Sequence, residues 1–390
     1  MIKCERCGNS DLNYFYKGHK GLYCRKCVSF KRILLEDKMS SFEYEVNDNS
    51  SSFSFDYSLT SLQDEISNKC LDLVKDNKDV LLKAVCGAGK TEIVVKSISY
   101  FLKRKKKVCY AISRKEVVVD LYKRFKGIFK DANVVALYGG HHEELTGDLI
   151  ICTTHQLFRF YKTFDLLILD EVDAFPLAGN TALVNISLNS STGPIIFSTA
   201  TVNNFLNNIL KNRNYEKLEL YVRPTYKPLI VPELIISFKL YLYLYLYYLL
   251  KRMNTQCIIF VSNKKLCRNL YYVYKLFFKC TYVYSDLKER DKNIKDFRDK
   301  KYQFIFSTTV LERGVTIKDV NVIILCIDQN VFNEGSLVQM LGRVGRNFNN
   351  PYGESYILSS RNNDEIDKAI NNLKEANKKY ELSILRQKNK

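Results

Sequence analysis

No stretch of this 390-residue chain is apolar enough to cross a bilayer. The longest run, Leu240 to Leu250 (LYLYLYLYYLL), is eleven residues and rich in tyrosine, against the roughly 20 apolar residues a spanning helix needs. No apolar segment follows the opening MIKCERC, so no secretory signal is expected, and the twelve cysteines are expected to be reduced thiols rather than disulfides. Repeats with a period of about 20 to 50 residues are missing, which argues against a solenoid. Prolines are scarce, six in all, and three of them (Pro224, Pro228, Pro232) fall in one short stretch, as a hinge between two bodies would place them. A chain that is 46% hydrophobic is neither collagen-like nor disordered, and its length allows two or three domains.

What the chain has in excess is positive charge, sixty Lys+Arg against forty-two Asp+Glu, for a net +18. The surplus is uneven: residues 1–56 carry +1, residues 57–212 carry +4 and residues 213–390 carry +13. A uniform compositional bias would not concentrate it in the last part, whereas a surface that grips polyphosphate would.

From Leu59 on, short apolar runs alternate with longer amphipathic segments: VLLKAV, KVCYAI, NVVALY, LIICTT, LLILD and PIIFST, then after Arg223 CIIFVS, CTYVYS, QFIFST, VNVIILC and SYILSS. That alternation predicts two α/β domains, each a parallel sheet covered by helices. The boundaries expected are a cysteine-bearing module and linker over 1–56, a first α/β domain over 57–212, an inter-domain linker over 213–235 and a second α/β domain over 236–390. The Leu/Tyr run has the period of a strand, yet its place just before CIIFVS favours a helix.

Cys86-Gly87-Ala88-Gly89-Lys90-Thr91, between a strand and a helical stretch, has the form of a phosphate-binding loop with Ala84 at the usual first glycine. Small residues let backbone N–H groups close around phosphates, and the following helix adds its N-terminal partial charge. Lys90 then suits the β/γ phosphates and Thr91 a magnesium ion. The strand ending in Asp170-Glu171 offers one carboxylate for Mg²⁺ and a neighbour able to orient and deprotonate water. A solvated acidic turn is the bland alternative, which the loop eighty residues upstream makes less attractive. Gln63 has the donor and acceptor an adenine edge requires, although one Gln before a helix is usually surface. In QMLGRVGR, Arg343 and Arg346 are three apart, on the same face of an expected helix, and suit a γ phosphate; a solvated Arg-rich helix is the alternative. Arg114, Thr153, Thr154, Ser262, Asn263 and Thr308 follow strand ends, where they can meet a nucleic-acid backbone or simply cap helices.

Cys4-x₂-Cys7 and Cys24-x₂-Cys27 are paired as zinc knuckles are, enough for a closed tetrahedral site. An iron–sulfur centre or a redox pair are the other readings. Tyr14, Phe15 and Tyr16 beside Lys17, Lys20, Arg25 and Lys26 form either a base-stacking basic face or the small core of the module; His19 reads as surface.

The ordered set Gln63, AVCGAGKT, DEVD, Ser198-Thr199-Ala200-Thr201, the Ser307–Gly314 segment and QMLGRVGR resembles that of the superfamily 2 helicases. With the four N-terminal cysteines it resembles the ComFA family, ATP-driven DNA-uptake proteins of naturally competent Gram-positive bacteria. The resemblance implies two tandem RecA-like domains with ATP between them, and a nucleic-acid-stimulated ATPase that translocates single-stranded DNA. It implies phosphate contacts from Gly87, Ala88, Gly89, Lys90 and Thr91, with Mg²⁺ and water activation at Asp170 and Glu171. Gln339, Arg343 and Arg346 would act at the γ phosphate, and Ser198, Thr199 and Asp173 would couple hydrolysis to movement. ATP, Mg²⁺ and Zn²⁺ are the cofactors implied. A cytoplasmic protein is implied, peripheral on the inner face of the membrane, with a ComFC-like partner and a DNA-uptake channel. Thr316 stands where DEAD-box proteins carry a ribose-binding Asp, so no ribose contact is assigned; the acid box is DEVD and not DEAD or DEAH, which weakens an RNA-helicase reading. A replication-restart or RNA helicase, or an ATP-gated nucleic-acid scaffold, are the alternatives.

Overall fold

A computed structural model describes residues 2–47, 52–141, 144–313, 317, 319–327 and 332–388. The chain forms two compact units, one holding Met1–Ala84 and Gly89–Leu220, the other Val85–Ala88 and Tyr221–Lys390.

The first unit begins with a hairpin, β1 (Phe15–Gly18) and β2 (Gly21–Cys24), paired antiparallel. Its main sheet follows, with β3 (Asp79–Ala84), β4 (Val108–Ile112), β5 (Val134–Leu137), β6 (Leu149–Thr153), β7 (Leu166–Asp170), β8 (Ile195–Thr199) and β9 (Tyr215–Leu220). The order across the sheet is β5-β6-β4-β7-β8-β3-β9, and every pairing is parallel. Because helices cover both faces, β4, β6, β7 and β8 are buried at every position, which is why they read as continuous apolar runs and not as alternations.

The second unit holds β10 (Glu233–Ile236), β11 (Gln256–Val261), β12 (Cys280–Val283), β13 (Phe304–Ser307), β14 (Val320–Cys326) and β15 (Ser355–Ser359). These too pair in parallel, in the order β10-β15-β14-β11-β13-β12. Both units are RecA-like, and the strand expectation holds for every run named from the sequence.

Two edge strands went unread. β9 (YEKLEL) is exposed at its first three residues and β10 (ELII) at both ends, so neither shows the apolar run of a central strand. Their pairing shortens the linker expected over 213–235, because β9 completes the first sheet on β3 and β10 begins the second on β15. The Leu/Tyr run is helical, Lys239–Arg252, and buries Leu242, Leu246, Leu249 and Leu250. That spacing is helical, and it overrides the two-residue alternation of Leu and Tyr.

The cysteine module is docked, not tethered. Asn185 Nδ2 donates to Cys7 O at 2.8 Å, and Asn189 Nδ2 to Glu5 O at 3.2 Å and Arg6 O at 3.1 Å. The buried cysteines share an apolar cluster with Leu157, Phe160, Phe164 and Leu183. The described residues on either side of 48–51, in the stretch expected as a linker, contact the unit: Asn47 N donates to Asp148 Oδ1 at 2.8 Å, Ser54 N to Ile128 O at 3.0 Å, and the Phe53 ring sits 6.2 Å from that of Phe129.

Candidate nucleotide and metal sites

Lys90 opens a helix immediately after Gly89, whose φ of 87° places it in the left-handed region. Gly87 at φ 82° is left-handed too, a conformation L side chains resist. A Cβ at position 89 would in addition displace the Gln63 side-chain amide, whose Nε2 lies against it. Gln63 is buried and completes a capping box: Thr60 N donates to its Oε1 at 2.9 Å, and Gln63 N donates to Thr60 Oγ1 at 3.3 Å. The residue read as surface or adenine-binding is thus fixed against the glycine loop by a helix cap.

At the C-terminal end of β7, Asp170 Oδ1 lies 3.7 Å from Lys90 Nζ. Asp170 Oδ2 accepts from Tyr110 Oη at 2.7 Å. Burial first, then the Asp170 charge, pushes the Tyr110 phenol well above its ordinary range, so it remains a neutral donor. Glu171 sits at φ 55°, an uncommon backbone state for a non-glycine residue, and its N–H donates to Asp170 Oδ1 at 2.9 Å. Two acids are therefore set differently: Asp170 is oriented by hydrogen bonds, while the left-handed turn redirects the chain at Glu171. Asp173 accepts from Thr199 Oγ1 and Thr201 Oγ1, both at 2.8 Å, tying the acid box to the end of β8. Ser198, beside Thr199, is buried and its hydroxyl has no hydrogen-bond partner among the described residues. Tyr110 gave no signal in the sequence beyond its place in an apolar strand.

In the second unit, Gln339 lies in a helix, Glu334–Leu341, capped by Asn333, which accepts from Ser336 N at 2.9 Å. That helix stops at Gly342, so Arg343 and Arg346 do not share a helical face as expected. They occupy the turn beyond it, where Gly345 takes φ 68° and a Cβ would lie 2.6 Å from Pro351 O. Arg343 Nε donates to Glu312 O at 3.2 Å and Arg346 Nε to Gly342 O at 2.7 Å. Arg223, overlooked in the sequence, organises this turn: its guanidinium donates to Gly342 O at 2.9 Å, Val344 O at 2.7 Å and Gly345 O at 3.2 Å. Burial, and then the charge of Arg346, draws Arg223 down to about 10, and it stays cationic at neutral pH.

The residues expected on a nucleic-acid backbone are mixed. Asn263 caps the helix Lys264–Tyr274, accepting from Leu266 N at 2.8 Å, and its Nδ2 donates to Ser262 Oγ at 3.1 Å. Arg114, Thr153 and Thr308 stand at the N-cap positions of helical segments without a side-chain cap bond, and Thr154 is fully buried. Gly314 and Thr316 lie outside the described residues.

The sulfurs of Cys4, Cys7, Cys24 and Cys27 lie within 4.8 Å of one another and all four residues are buried. Cys4 and Cys27 are 3.7 Å apart, as are Cys7 and Cys24, close to the ~3.8 Å edge of a tetrahedron with metal–sulfur bonds of about 2.3 Å. Hydrogen bonding with Cys27, then with Cys7, draws the Cys4 thiol down to about 2, while Cys4 and Cys7 push Cys27 upward. One thiolate thus forms at its neighbours' expense, a conflict that a bound cation relieves by letting all four ionise. The donor set fits a metal ion.

Two parallel-sheet units with a glycine loop, a paired acid box, and a buried Gln339 and Arg343 followed by an exposed Arg346 define a helicase-type ATPase. Residues 60–209 match the DEAD/DEAH box helicase family and residues 240–348 the helicase conserved C-terminal domain. Such domains hydrolyse ATP, typically with Mg²⁺, and bind nucleic acid. The chain belongs to the ComFA family. It is 33% identical to the competence protein ComFA of Streptococcus pneumoniae over 394 residues, covering 97% of this chain and 91% of that protein. It is 30% identical to ComFA of Bacillus subtilis, covering 88% of this chain and 79% of that protein. Among solved structures it is similar to Saccharomyces cerevisiae Dbp5 bound to RNA and ADP BeF3, at TM-score 0.61 and 20% identity, covering 80% of this chain and 87% of that one; this likeness concerns the fold. No helix among the described residues is long and apolar enough to cross a membrane.

Proposed function

We propose that the protein is an ATP-dependent translocase of single-stranded DNA that drives DNA uptake during natural competence. The observation that carries this reading is the convergence of Lys90 with Asp170 at 3.7 Å, with Glu171 next in the chain, in a member of a competence protein family. Gly87, Ala88, Gly89, Lys90 and Thr91 hold the phosphates, with Gln63 at the adenine end. Thr91 and Asp170 would hold Mg²⁺, which would screen the phosphate charge. Glu171 orients and deprotonates the attacking water. Arg343 and Arg346 supply fork-shaped cations, with Gln339, to the charge that develops on the transferred phosphoryl. Ser198 and Thr199, with Asp173, couple that chemistry to movement. Arg114, Thr153, Ser262, Asn263 and Thr308 line the path of the strand, with the buried Thr154 behind them, in a chain whose positive surplus lies mainly beyond residue 212.

The ion on Cys4, Cys7, Cys24 and Cys27 is Zn²⁺, with a structural role, since four thiolates leave no open position. The protein works in the cytoplasm at the inner face of the membrane, with a ComFC-like partner and the DNA-uptake channel. ATPase rates with single-stranded DNA, duplex DNA and RNA, beside Lys90→Ala, test the reading. Single-stranded DNA is expected to stimulate most and Lys90→Ala to abolish turnover; stimulation by RNA alone overturns it.

A further inference from the structure

The hairpin of the cysteine module has two dissimilar faces. Phe15 turns inward, packing against the cluster that contains the four cysteines. Its neighbours turn outward: Tyr14 is 42% exposed and Tyr16 55% exposed, so neither serves as core. Tyr16 and Tyr23 are register partners across the hairpin, with ring centroids 5.7 Å apart in an edge-on arrangement. Two cations sit over rings of this surface, Lys26 Nζ 4.1 Å from the Tyr14 centroid and Arg32 Cζ 4.4 Å from that of Tyr23. Between Asp11 and Glu36 the chain has six Lys or Arg and no acid, and Lys17 and Lys20 are both exposed.

We infer that the outer face of this hairpin is a stacking platform for single-stranded DNA. Exposed aromatic faces interleaved with cations match the two halves of a nucleotide: rings accept the base and cations the phosphate. The platform is preorganised, because the four-cysteine cluster closes the hairpin and Asn185 and Asn189 hold the module to its unit, which lowers the ordering cost of binding. The inference rests on the proposed reading that single-stranded DNA is the cargo. It adds a contact outside the two helicase-type domains.

The test is fluorescence anisotropy of the full-length, metal-containing protein with a labelled oligo(dT) of about 20 nucleotides and an abasic strand of equal length, over a salt series. The doubly substituted Tyr14→Ala, Tyr16→Ala protein is expected to bind oligo(dT) about tenfold more weakly and to lose part of the preference over the abasic strand. Tyr16→Phe keeps its ring and should bind as wild type, and Tyr272→Ala, an exposed tyrosine of the other unit, controls for general loss of aromatic surface. Replacing Lys17 and Lys20 by Ala should reduce the slope of log K against log salt by about 1.4, two phosphates' worth for a single strand. Metal content and basal ATPase should be unchanged in each. If wild type binds the strand and the double variant binds within about twofold of it, the platform is wrong while the translocase reading stands. If wild type binds no single strand, both fall.

Discussion

Lys90 Nζ stands 3.7 Å from Asp170 Oδ1, although eighty residues separate the two in the chain. The contact exists because β3 and β7 run parallel on either side of β8 in one sheet. The loop that follows β3 and the acid box that ends β7 are therefore delivered to the same edge, where open α/β sheets bind ligands.

Lys90 and Glu171, the acid next to Asp170, are testable separately. Lys90→Ala is expected to lower DNA-stimulated ATP hydrolysis by at least about 10²-fold by removing the cation facing the phosphates. Glu171→Gln should lower kcat by about 10² to 10⁴ while leaving nucleotide affinity nearly intact, as loss of a base without loss of a phosphate contact requires. Steady-state ATPase assays and binding of a fluorescent nucleotide measure the two effects.

Asp173 is held by the hydroxyls of Thr199 and Thr201, so Asp173→Ala strands the buried Thr201 hydroxyl, while Thr199 Oγ1 keeps the Thr201 carbonyl as its acceptor. Urea unfolding should register a loss of about 1 to 3 kcal/mol. If this bridge couples the nucleotide site to the strand, ATP hydrolysis persists in the variant while ATP-driven displacement of a bound protein from single-stranded DNA is lost.

The metal cluster predicts one zinc per chain by atomic absorption. Cys27→Ser should bind none, and its module should become the first part of the chain cut in limited proteolysis. Because thiolates are the ligands, retention should weaken as pH falls and protons compete for sulfur.

Docking of the module depends on Asn185 and Asn189, which donate to the backbone of Cys7, Glu5 and Arg6. Asn185→Ala combined with Asn189→Ala should cost about 1 to 3 kcal/mol of docking, at the usual net value per hydrogen bond. Hydrogen exchange over the helix Thr181–Leu188 should rise, with zinc still bound.

The sequence by itself determined the central strands, because strands buried on both faces must be apolar throughout, and it marked the glycine loop, the acid box and the four cysteines, because phosphate and metal binding demand particular atoms at short, local spacings. It left β9 and β10 unread, since their exposed residues break the apolar run, and it placed Arg343 and Arg346 on a helix that Gly342 ends. Only the tertiary structure decided what depends on residues far apart in the chain: that Arg223 holds the turn bearing those arginines, that Tyr110 orients Asp170, and that Gln63 lies against Gly89. It also turned an expected tether into a docked module, because the polar bonds that hold it, from Asn185 and Asn189, come from side chains nearly two hundred residues away, where no local pattern could announce them.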